Sequence, residues 1–123
     1  MSNEISVTLN ARVKNGYLDV PFNVSAQFDQ ASAIGSGGIQ SIGTATNAEF
    51  IALGDVTTAS FAFLRNLDTT NYIDVGTGTG TSFIAFLRIG PGKFATCWLH
   101  PTNAPSARSN VAACNLWYHV SNA

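Results

Sequence analysis

Phe61–Gly76 reads FAFLRNLDTTNYIDVG and Ser82–His100 reads SFIAFLRIGPGKFATCWLH. In both, aromatic and aliphatic runs are interrupted by turn chemistry, Asp68-Thr69-Thr70-Asn71 in the first and Gly90-Pro91-Gly92 in the second. That punctuation predicts strands. Read as local hairpins, the first stretch pairs Leu64 with Val75 and Arg65 with Asp74. The second pairs Leu87 with Ala95, Ala85 with Cys97 and Phe83 with Leu99 across a three-residue turn with Gly92 in the left-handed position.

The same grammar extends outward. Ile5, Val7, Leu9, Ala11 and Val13 alternate with polar residues, the period of two that gives a strand one wet face. Asn15-Gly16 suits a type I′ turn, after which Leu18, Val20, Phe22, Val24, Ala26 and Phe28 resume the alternation. Closing on those two residues pairs Val13 with Leu18 and Ala11 with Val20, and sets Arg12 opposite Asp19. Pro21 then faces Asn10 without the N–H a ladder needs, so an edge, a bulge or a change of sheet is expected before Phe28. Residues 31–43, ASAIGSGGIQSIG, read as a Gly/Ser-rich loop, or as an arm that orders against a partner. Ala48, Phe50 and Ala52 suggest a further strand, stopped by Gly54-Asp55. Some eight or nine short strands at intervals of about ten residues predict an all-β antiparallel β-sandwich, with a jelly roll as its special case. At 123 residues the chain suits a single domain spanning residues 1–123.

Charged residues are 11% of the chain, against about 25% in an ordinary soluble domain, so the surface is expected to favour association. The net charge is −1 and the six Lys and Arg residues stand singly, which argues against nucleic acid as a partner. No apolar run is long enough for a membrane span, and MSNEIS has no leader pattern. Synthesis in a cytoplasm is the expectation. Cys97 and Cys114 read as two buried thiols that pack as small hydrophobes.

No constellation for catalysis emerges. Gly76–Thr81, GTGTGT, lacks the following helix that a phosphate cradle requires. His100 and His119 fall on the same strand side as Trp98 and Trp117, without further clustered ligands for a metal. Cys97 points away from His100 in a regular strand, and Asp68 and Asp74 are committed to a turn and an ion pair. The reading is of a non-enzyme with no catalytic, cofactor or metal residues.

The anomaly is apolar residues on both strand faces. Ile84, Phe86, Phe94 and Trp98 occupy the second face of their hairpin, Trp117 and His119 the second face of the last strand. A second layer or subunit must cover them. With Ile39 and Ile42 of the Gly/Ser-rich segment, these are the candidate interface residues. Trp98, Trp117, Tyr17 and Tyr72 also suit sugar stacking, which keeps a glycan-binding module as the competing expectation.

The order NEISVTLNARVKNGYLDVPF, GGIQSIGT, ALGDVTTASFAFLRNLDTTNYIDVG, FIAFLRIGPGKFATCWL and a closing strand resembles a family of small structural proteins encoded among the virion genes of tailed bacteriophages. The F-x-R-N-L-D-x-x-N-Y-x-x-x-G core and the turn in Leu87–Gly92 are its more specific pieces. Gly90–Pro105 departs from the pattern. The resemblance implies a capsid decoration, or cement, protein: β-rich, without catalysis, bound to the major capsid protein on the virion surface and often trimeric. The alternative is a tail, vertex or fibre-associated module that binds a glycan or host receptor.

Overall fold

The computed structural model describes residues 4–44 and 48–123; the leaderless reading of the opening residues rests partly on residues 1–3, which lie outside these. Where length argues for one domain, contacts divide the chain into two compact units, Met1–Ala33 and Ile34–Ala123.

The first unit is a two-stranded antiparallel ribbon of β1 (Ile5–Asn15) and β2 (Leu18–Phe28). Its turn residues are Gly16 and Tyr17: Asn15 pairs with Leu18, Val13 with Val20 and Ala11 with Phe22. The register is thus displaced by two from that expected, an even number, so the apolar residues keep to one face. Gly16 takes φ +58°, which a left-handed turn position requires. Lys14, not Arg12, stands opposite Asp19, yet Arg12 reaches Asp19 diagonally, with Nε 2.7 Å from Oδ1 and Nη2 2.6 Å from Oδ2. Of the alternatives expected at Pro21 the edge holds, whereas no bulge or change of sheet occurs and β2 runs unbroken to Phe28. Each strand of a two-stranded ribbon is an edge strand, where proline is tolerated.

The second unit contains β3 (Gly35–Ile42), β4 (Glu49–Phe50), β5 (Ala59–Asn66), β6 (Ile73–Thr77), β7 (Ile84–Ile89), β8 (Phe94–Trp98), β9 (Pro105–Ser109) and β10 (Cys114–Asn122). They form two four-stranded sheets, ordered β3-β10-β5-β8 and β4-β9-β6-β7. The antiparallel pairs β3–β10, β4–β9, β5–β8 and β6–β7 are nested: the chain behaves as one long hairpin rolled up on itself. This is jelly-roll topology.

Nesting overturns both central hairpins of the sequence reading. β5 and β6 lie in different sheets, as do β7 and β8, so Leu64 faces Ala95 and Val75 faces Leu87. The Gly90–Lys93 turn carries the chain from one sheet to the other: Lys93 N–H donates to Gly90 O at 3.0 Å, with Pro91 and Gly92 (φ +70°) in the central positions, the residue types of a type II turn. Residues 31–43 are likewise not a loop, since β3 occupies most of them and pairs with β10 along its length. Its glycines have a steric reason. A Cβ at Gly35 would lie 2.9 Å from His119 Cε1, and one at Gly37 would lie 3.0 Å from Tyr118 O and 3.3 Å from His119 Nδ1. The His119 ring lies across that strand.

Between the sheets, Ile42, Leu64, Leu116 and Val120 of one meet Ile73, Val75 and Ala107 of the other, all with no measurable exposure. Cys114 is buried, and Cys97 is half-buried against the same core. Burial pushes both thiols up from their ordinary value, so they pack as neutral groups.

Residues of the R-N-L-D-x-x-N-Y motif clamp the crossing from β5 to β6. The fully buried Asn66 donates through Nδ2 to Asn71 O at 2.8 Å and Ile89 O at 3.0 Å, and its Oδ1 accepts from Asp68 N–H at 2.9 Å. Asp68 Oδ2 accepts from the N–H groups of Thr70 and Asn71, the forward turn expected of it. The motif is thereby accounted for by backbone satisfaction.

Candidate functional site: an aromatic sheet face

Alternation along β3, β10, β5 and β8 sends one set of side chains into the core and the other outward. The register aligns the outward set in rows. Ile39, Trp117, Arg65 and Phe94 lie side by side across the four strands, the next row carries Gly37, His119, Phe63 and Thr96, and Phe61 and Trp98 pair beyond them. The aromatic rings contact one another across strands. Phe63 meets Trp117 edge to face at 5.0 Å and 77°, Phe61 meets Trp98 at 5.1 Å and 63°, and Phe63 lies 6.5 Å from Phe94. Such contacts hold the rings in place in addition to their burial.

The patch remains open. Ile39 is 64% exposed, Phe94 62%, Trp98 52% and Trp117 44%. Arg65 supplies a cation in its midst, and these rows contain no carboxylate. His119 shares a 2.9 Å hydrogen bond between Nε2 and Ser121 Oγ, which ties its ring to the sheet.

Of the residues singled out from sequence, Ile39, Phe94, Trp98, Trp117 and His119 are brought together here. Ile84 and Phe86 are also exposed, but on β7 at the edge of the other sheet. Ile42 is not an interface residue: it is wholly buried, because alternation along β3 points it opposite to Ile39. Phe61, Phe63 and Arg65 were missed. Alternation places them together on one side of β5, but only the register with β8 and β10 brings them to the tryptophans.

The two histidines do not meet. β5 stands between β8 and β10, and His100 Nδ1 instead lies 3.2 Å from Thr102 N and 3.1 Å from Thr102 Oγ1. Among the described residues no three His, Cys, Asp or Glu side chains gather as metal ligands would. Asp74 pairs with Arg88, not with Arg65. The GTGTGT segment leads through one 3₁₀ turn, Gly80–Ser82, into β7. Gly76 there lies against β7 so closely that a Cβ would collide with the Ile84 carbonyl.

Compared with family models, with curated proteins and with solved structures, the chain matches none.

Proposed function

We propose that the protein is a non-enzymatic virion component, a capsid decoration or cement protein that docks on the major capsid protein through the outer face of β3, β10, β5 and β8. The observation that carries this reading is the open aromatic face, its rings braced against one another across strands, with Arg65 and His119 among its few polar groups. Fully burying one large side chain contributes on the order of 1.5–3 kcal/mol, so several of these partly exposed aromatics together reach the lower part of an association cost of about 4–15 kcal/mol. The resemblance to virion structural proteins supplies the identity of the surface. Jelly rolls serve in both viral capsids and lectins, so the fold alone does not choose between them.

The test compares shells with and without the protein in a thermal-release assay at low and high salt. Binding to assembled shell stabilises it by mass action, and an apolar contact resists screening. A higher release temperature at both salt concentrations is expected. Equal release temperatures, or binding abolished by moderate salt, contradict the proposal.

A second reading rests on a different feature, a cleft of about 340 Å³ whose lining includes Thr57, Thr58, His100, Thr102 and Asn103. Its hydroxyl, amide and imidazole groups are of the kind that hydrogen-bond a sugar, and three of its residues, His100, Thr102 and Asn103, lie within five positions of the exposed Trp98. Saturable binding to a glycan array, lost on Asn103→Ala or Trp98→Ala, would favour a tail or fibre module instead.

A further inference from the structure

In the rows that carry the aromatic patch, Arg65 is the one Lys, Arg, Asp or Glu, and its partners in register are Trp117 on β10 and Phe94 on β8. Arg12 and Arg88 each hold a carboxylate of the adjacent strand. Arg65 does not: it is exposed, and among the described residues no hydrogen bond, ion pair or ring contact engages its side chain. It also lines a cavity of about 340 Å³, together with Leu67, Asp68 and Thr69 of one turn and Pro91 and Gly92 of another. Asp68 is committed elsewhere, since its Oδ2 accepts from the N–H groups of Thr70 and Asn71.

We infer that the capsid surface docked on this face presents a side-chain carboxylate to Arg65, set among apolar groups that cover Trp117 and Phe94. The inference rests on the shell reading and names the chemistry of the partner. Covering the rings on both sides takes water from the guanidinium between them, and a charge so enclosed is costly unless it is paired. A wholly apolar occupant leaves it unpaired, and a basic one repels it. A second copy docked through the same face brings another Arg65 and no carboxylate, so the face is not complementary to itself. A nucleic acid needs several cations along its backbone, and these rows hold one. A carboxylate matches the guanidinium fork with two parallel N–H···O bonds, and the cavity gives its side chain room beside Arg65. Enclosed among the rings, the pair is screened by salt less than an exposed one.

Cosedimentation of the full chain with shells assembled without it tests the pairing. Arg65→Gln should weaken binding at least about tenfold and Arg65→Glu at least about a hundredfold. Arg65→Lys should recover part of the loss, because an ammonium keeps the charge without the fork. The free variants should melt at the native temperature, since Arg65 has no partner in its own chain. Shells whose surface carboxylates have been amidated should bind native and Arg65→Gln protein equally weakly. If native and Arg65→Gln protein bind untreated shells alike while Trp117→Ala binds poorly, the inference is overturned and the shell reading stands; no cosedimentation of the native protein overturns both. Undiminished binding to amidated shells, a marked fall in the melting temperature of Arg65→Gln, or a free protein that dimerises until Trp117→Ala separates it would each overturn the inference as well.

Discussion

Arg88 holds Asp74 from the neighbouring strand with two contacts, Nε to Oδ1 at 2.8 Å and Nη2 to Oδ2 at 3.2 Å. The carboxylate is nearly buried on the outer side of its sheet while the guanidinium is largely exposed. Arg88 also lies 3.8 Å above the centre of the Tyr72 ring, a stacking that an ammonium does not reproduce. Arg88→Met should therefore lower the melting temperature by several degrees, by leaving the Asp74 carboxylate without this partner. Arg88→Lys should recover only part of the loss. Equal melting curves for all three proteins in calorimetry would show that the pair contributes nothing.

Asn66 should be the costliest polar residue to remove. Asn66→Ala deprives Asn71 O and Ile89 O of a buried donor and leaves a cavity, with an expected loss of about 2–4 kcal/mol. Urea unfolding checks it, and a change below about 1 kcal/mol would mean that water replaces the amide.

Two glycines should respond differently to alanine. At Gly76 the added Cβ collides with backbone of β7, so β6 and β7 must separate, with an expected cost above about 3 kcal/mol. At Gly16 the Cβ meets nothing within 4 Å and only the positive φ is penalised, by about 1–2 kcal/mol. Tryptophan fluorescence should register the first substitution and not the second; the opposite pattern would refute the assigned turn and the close approach of β6 and β7 at Gly76.

Acid should weaken the β5–β6 crossing. Hydrogen bonds from the backbone N–H groups of Asn71 and Thr70 hold the Asp68 carboxyl below its usual range. A carboxyl with a depressed folded pKa contributes stability that is fully present above its unfolded value of about 3.9 and is lost as pH falls through the folded value. Asp68→Asn retains an acceptor and cannot titrate there, so its stability should fall less than that of the native protein as pH drops below about 4. Parallel acid titrations of stability would contradict this.

Strand class and alternation were legible in the sequence because period and turn chemistry are local. Asp68's turn, the outward Trp98, Trp117 and Phe94, and the inward Cys97 all follow from them. Sheet membership was not. In a nested roll the partner of β5 includes β8 and that of β3 is β10, so pairing depends on contacts far apart in sequence, and a turn such as Gly90–Lys93 looks the same whether it closes a hairpin or bridges two sheets. The glycines of β3 misled for a related reason: they accommodate His119, more than 80 residues away, and composition reports only their flexibility. At the ribbon tip, Asn15-Gly16 marked the turn correctly but not which two residues occupy it.

The central claim is that the face bearing Trp98 and Trp117 is the one that docks. These are the chain's two tryptophans and both are open to solvent, so acrylamide quenching reads that face alone. The measurement is the quenching of the protein free and bound to shells assembled without it, with cosedimentation to establish the bound fraction. The account predicts strong quenching in the free protein and at least several-fold protection when bound. Bound protein quenched as readily as free protein, or no cosedimentation at all, would contradict it.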